Sequence, residues 1–220
     1  MKPESFEKKL YIARNVEGEP NEQKLAILRE LEKRLAEEES FVGLAPFGSA
    51  VGGYSTEESD LDVYALYDFP KGAPLDFWRN VHQEIKKIKL EIEKEQKIKI
   101  HLISTNINPQ FIIDNIKLGV ESKNNPGEFV GTELAEMSRI VTGKKIDQCR
   151  KVISDKLQEL PAEQKQQLAD SVVESLTRRD IMSLSKRIKR MNNLSEENHQ
   201  KILEERKKMW RDRVSKIWRL

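Results

Sequence analysis

The chain has 220 residues, with 39 Lys+Arg against 37 Asp+Glu, a formal net charge of +2 and 37% hydrophobic residues. That length suffices for one large domain, or for a core domain with a smaller one beside it. No apolar run approaches the roughly 18–20 residues of a membrane span. The N-terminus has no apolar signal region, and the single cysteine, Cys149, excludes an internal disulfide and a Cys-based metal cluster. A cytoplasmic protein without membrane contact is the plain expectation.

In chain order, Leu25, Leu28, Leu31 and Leu35 recur at helical spacing over residues 21–38, with Asn21 as N-cap. The apolar run FVGLAPFG reads as a buried strand. A loop of small residues, SAVGGYSTEES, leads into DLDVYALYD, a second strand rich in aromatic and β-branched residues. Trp78, Val81, Ile85, Ile88 and Ile92 then mark a helix over residues 75–95. KIKIHLIS alternates as a third strand, with Ile98, Ile100 and Leu102 on one face and Lys97, Lys99, His101 and Ile103 on the other. After Asn108 the pattern is helical. A short helix at PQFIIDNIKLG precedes one ending at Gly143, and Pro161 makes a break. Helices follow over residues 162–190 and 195–220, with Asn192 and Asn193 at the turn and Ser195 as N-cap. Ile202, Trp210, Val214 and Ile217 line one face of the last. This order predicts a small α/β unit in residues 1–108 and a helical domain in residues 109–220.

Charge is unevenly placed. Residues 178–220 hold 14 Lys+Arg and 6 Asp+Glu, while residues 1–177 hold 25 and 31, so a basic tail follows an acidic body. Such a tail suits a polyanionic or acidic partner, or simply a solvated helical surface.

Asp60 and Asp62 are the puzzle. They point to one face of the second strand, where two carboxylates repel. A divalent cation offsets that cost, and an oxygen donor set without Cys or paired His favours Mg²⁺ or Mn²⁺. Upstream, Gly48 permits close backbone approach to a phosphate, Ser49 adds a hydroxyl, and Gly53 lets the loop curl back. A phosphate cradle beside a metal-binding acid pair is what phosphoryl or nucleotidyl transfer needs.

GSAVGGYSTEESDLDV resembles the signature of the DNA polymerase beta-like nucleotidyltransferase superfamily: Gly48-Ser49, ten residues, then Asp60-Leu61-Asp62-Val63, with Gly53 and Ser59 as frequent companions. The resemblance implies an α/β (α+β) catalytic core with a mixed sheet, followed by a C-terminal helical domain. It implies that Gly48 and Ser49 hold the β- and γ-phosphates of an NTP, ATP being the expected donor, with Gly53 and Ser59 beside them. Asp60 and Asp62 would hold Mg²⁺ while an acceptor hydroxyl attacks the α-phosphate and pyrophosphate leaves. Small bacterial members, of the antitoxin and aminoglycoside-modifying kind, are the most similar in layout. The acceptor expected from the basic 178–220 segment is a protein or a nucleic acid, although the acidic body keeps a cationic small molecule open.

The pattern departs at the third carboxylate that many members carry on the next strand. His101 stands at that position, as a base, a weaker ligand or a surface residue. Glu133 and Glu136 are candidates from the helical part. Gly143, Lys144 and Lys145 read as a helix end that reaches phosphate or only its own dipole. Tyr54 is a candidate base stacker, Trp210 reads as core, and Trp210 with Trp218 among arginines is a candidate partner surface. Two other readings compete with an enzyme: a non-catalytic nucleotide- or nucleic-acid-binding module on a degenerate fold, and a structural helical protein.

Overall fold

The computed structural model describes residues 22–51, 59–70, 72–139, 141–143, 145–191 and 196–220. Asn21, Asn192, Asn193 and Ser195 lie outside the described residues, as does the side chain of Ile202. Three strands, β1 (Phe41–Phe47), β2 (Leu61–Tyr67) and β3 (Ile100–Asn106), form a sheet of order β1-β2-β3. β1 pairs antiparallel with β2 and β2 parallel with β3, so the sheet is mixed. The parallel step is spanned by α2 (Leu75–Gln96), while α1 (Glu22–Leu35) precedes β1.

One sheet face rests on these two helices. Ile27, Leu28, Leu31 and Leu35 of α1, and Val81, Ile85, Ile88 and Ile92 of α2, pack on Leu44, Leu61, Val63, Ala65 and Ile100. The buried stripe of α1 follows helical spacing, but it begins at Lys24, which is only 1% exposed. Arg34 ties α1 to α2 through Glu91 at 3.2 Å and Glu95 at 2.9 Å.

Five more helices follow: α3 (Pro109–Glu121), α4 (Pro126–Met137), α5 (Ile146–Leu157), α6 (Ala162–Met191) and α7 (Glu196–Trp218). α3 and α4 start where Asn108 and Asn125 accept backbone N–H groups of Phe111 and Gly127, with Pro109 and Pro126 in the first turn. These helices cover the other sheet face. Val42, Ala45, Leu66 and Ile107 join one core with Ile112, Leu134, Ile153, Leu168, Val172, Trp210 and Trp218. The last helices therefore pack on this chain's own core. Among the described residues no helix is long and apolar enough to cross a membrane.

Three expectations need correction. α4 ends at Met137, not Gly143. Its carbonyls are capped instead by arginines: Arg150 donates to the Met137 and Arg139 oxygens, and Arg213 to that of Ser138 at 2.6 Å. The chain then runs along the free side of β1, where Thr142 and Leu44 exchange backbone hydrogen bonds of 2.8 and 2.9 Å. A Cβ on Gly143, whose φ is +134°, would lie 2.2 Å from the Val42 oxygen, so this glycine serves a close backbone approach and not a helix end. Lys145 donates to the Glu39 carbonyl oxygen. Next, α5 is a separate helix before Pro161, with Ile146, Cys149, Ile153 and Leu157 buried at steps of three and four, a stripe that sequence reasoning missed. Finally, β3 begins at Ile100, because Lys97 turns the chain in a left-handed conformation at the end of α2.

Candidate active site

The sheet register assembles the site. Phe47, the last residue of β1, is the register partner of Asp62, and Asp62 in turn is the partner of His101 on β3. Gly48, Ser49 and Ala50 form a single tight 3₁₀ turn immediately after Phe47. The turn thus lies against the start of β2, with Asp60 just before the strand and Asp62 inside it.

Gly48 is at φ +67°, a conformation that L side chains rarely adopt. A Cβ there would lie 2.6 Å from Oδ2 of Asp62. Glycine is thus required twice: for the turn, and for the carboxylate to approach the backbone. Ser49 is partly exposed beside it, and Ser59 is half-buried just before the acid pair. Gly53 and Tyr54 lie outside the described residues.

Each aspartate faces a cation or an imidazole. Oδ1 of Asp62 is 3.2 Å from Nδ1 of His101, and Oδ2 of Asp60 is 3.8 Å from the Lys99 ammonium. Burial pushes the Asp62 carboxyl above the usual carboxylate range, and the His101 hydrogen bond pulls against that. Sequence reasoning missed Lys24. Its ammonium reaches from the buried face of α1 to 3.4 Å from the Asp60 carbonyl oxygen. Burial lowers its pKa, while the charges of Asp62 and Asp60 oppose that. The signal was present: Lys24 sits three and four residues before Ile27 and Leu28, on the apolar stripe.

Glu136 does not join the acids. It is fully buried and holds two guanidinium groups, Arg139 at 2.8 Å and Arg179 of α6. Arg179 also donates to the Tyr64 hydroxyl at 2.9 Å, and Arg139 lies 5.4 Å above the Phe47 ring. Phe47 and Tyr64 touch at 4.7 Å between ring centroids. This buried group backs the site, since Tyr64 shares a strand face with Asp62 and Phe47 leads into the turn. Burial raises the pKa of Glu133, and the charge of nearby Arg179 works against that rise. α6 itself packs on the Gly48 turn.

Residues 28–123 match the family model described as nucleotidyltransferase domain. This segment is a nucleotidyltransferase domain of the polymerase beta-like family. No curated protein and no solved structure matches the chain. The matched segment of the nucleotidyltransferase domain runs from α1 through α3, so it contains the turn, both aspartates and His101, and ends before α4.

A metal can be tested against the donors alone. Asp60 and Asp62 offer hard carboxylate oxygens on one strand face, the donor type that Mg²⁺ and Mn²⁺ take. Among the described residues no group of three or more His, Cys, Asp or Glu is placed to hold a metal. The pair therefore fits part of a coordination shell, and substrate oxygens or water must complete it.

Proposed function

We propose that the chain is a metal-dependent nucleotidyltransferase that moves an NMP, with ATP as the donor, to an acceptor hydroxyl with release of pyrophosphate. The observation that carries this reading is the left-handed turn at Gly48 pressed against Asp62, beside a second carboxylate at Asp60. It leaves backbone N–H groups and acid oxygens at one end of the sheet, as in-line displacement at phosphorus needs.

In this reading Gly48 and Ser49 donate hydrogen bonds to the terminal phosphates, with Gly53 and Ser59 flanking them. Asp60 and Asp62 hold Mg²⁺ or Mn²⁺, which supplies charge neutralisation for the triphosphate. His101, 61% exposed and against Asp62, takes the proton of the acceptor hydroxyl. The acceptor is a macromolecule, protein or nucleic acid, drawn by the basic 178–220 segment. Part of that basic charge is spent inside: Arg206 is 2% exposed and pairs with Asp180 at 3.6 Å, and Arg179 and Arg213 hold internal partners. Lys208, Arg211 and Lys216 are exposed, with Arg211 3.9 Å from Asp170, and they are the groups that would face a partner.

The test incubates the protein with Mg²⁺ and each α-labelled NTP, beside the Asp60→Ala/Asp62→Ala variant. Pyrophosphate release, with label on protein, RNA, DNA or a small molecule and none from the variant, supports transfer and names the acceptor class. A second reading, a nucleotide-binding module without turnover, is favoured by one observation: His101 occupies the strand position opposite Asp62 where a further carboxylate would stand. Nucleotide binding without pyrophosphate release would select it.

A further inference from the structure

We infer that this site takes one divalent cation, delivered with the nucleotide, and that Lys24 supplies from the protein the positive charge a second cation would bring. The inference rests on the nucleotidyltransferase reading and deepens it.

The first argument is ligand supply. The carboxylates of Asp60 and Asp62 have four oxygens between them, and three are already engaged or crowded. Oδ1 of Asp62 faces His101, Oδ2 of Asp62 lies against Gly48, and Oδ2 of Asp60 faces Lys99. The parallel register puts an imidazole, not a carboxylate, opposite Asp62. No third acid joins the pair among the described residues, and Glu136 is buried between Arg139 and Arg179. Two Mg²⁺-type ions need shared carboxylate oxygens, because each demands an octahedral set of oxygens. One such ion is satisfied by two carboxylates, triphosphate oxygens and water.

The second argument is charge. Lys24 is 1% exposed, its ammonium is 3.4 Å from the Asp60 carbonyl oxygen, and both aspartate carboxylates act on its charge. A buried ammonium on a helix otherwise patterned for the core is costly unless charge partners are close. Here the charges of both aspartates act on the ammonium, which α1 brings to the Asp60 backbone from behind the strand. Lys99 adds a second cation at Asp60. A second dication would have to settle near the buried Lys24 ammonium, where repulsion is less screened than at the exposed Lys99. The lysines also lower the acid pair's affinity for free metal, so the ion arrives with the phosphates that complete its shell.

Mn²⁺ stoichiometry tests this, read by electron paramagnetic resonance on the full chain, with and without a non-hydrolysable ATP analogue. Binding of the analogue is measured separately with a fluorescent derivative. The expected result is about one Mn²⁺ per nucleotide-bound chain, and weak Mn²⁺ binding without nucleotide. His101→Asp, at an exposed position, should raise the count from about one to about two by adding the missing carboxylate. Lys24→Met should strengthen nucleotide-free Mn²⁺ binding by roughly tenfold or more. Two Mn²⁺ per nucleotide-bound wild-type chain, or tight Mn²⁺ binding without nucleotide, overturns the inference while leaving the transferase reading intact. A Lys24→Met variant that melts earlier but binds Mn²⁺ unchanged assigns Lys24 a purely structural role and likewise overturns it. Absence of analogue binding under any metal overturns both readings.

Discussion

At Gly48 a methyl group meets two obstacles, an unfavourable φ of +67° and the Asp62 carboxylate at 2.6 Å. The backbone term alone costs about 1–3 kcal/mol for a non-glycine residue. Gly48→Ala should therefore lower the melting temperature and abolish binding of a fluorescent ATP analogue. A retained affinity would show that the turn does not cradle phosphate. Cys149 offers a pH test away from the site. Burial, helped by the charge of Asp68, pushes its thiol from 9.0 up to about 11. Its folded pKa lies above its unfolded one, so the unfolded chain loses this proton first as pH rises. Wild-type stability should fall between about pH 9 and 11 more steeply than that of Cys149→Ala, because only the wild type has this thiol to ionise. Thermal melts of both proteins across that range check the sign.

Among the elements, α4 and α6 meet through Glu136. Its single carboxylate separates the Arg139 and Arg179 guanidinium groups in a buried space beside Trp210, Phe47 and Tyr64. Glu136→Gln removes a fully buried charge that faces the buried Arg139 and the half-buried Arg179, and should cost about 3–5 kcal/mol in urea unfolding. Tyr64→Phe removes only the Arg179 hydrogen bond and should cost about 1 kcal/mol, with a larger effect on nucleotide affinity if the group positions the turn. The periodic stripe of α2 is legible from spacing because a buried face demands it. The end of α4 is not. Its stop is set by Arg150 and Arg213, from α5 and α7, and by the docking of Thr142 on Leu44. No local residue announces those partners.

Across the whole molecule, the three-stranded sheet is a shared wall. Val42, Ala45, Leu66 and Ile107 face the helices after Asn108, and Trp210 and Trp218 from the last helix complete that core. Trp218 is held by its indole N–H to the Ser138 hydroxyl at 2.7 Å. A division at residue 108 into catalytic and helical domains remains a proposal about folding units, and the packing gives it a measurable consequence. A chain ending at residue 108 should bind a hydrophobic dye and melt without a cooperative transition, because its second sheet face is uncovered. A sharp two-state melt of that fragment would show that the first part folds alone.

Local chemistry was enough to read the strand–turn–strand order, the glycine before the two acids and the core role of Trp210. Each depends on alternation, helical spacing or the φ freedom of one residue, and these are properties of neighbours along the chain. Tertiary structure alone decided who stands beside the acids. Lys24 arrives from a helix 36 residues upstream of Asp60, Lys99 and His101 arrive through the parallel register of β3, and Glu136 is taken out of contention by Arg179. Such pairings depend on how elements pack, and the side chains involved carry no mark of it, since a lysine bound for a carboxylate pair is written like one bound for water.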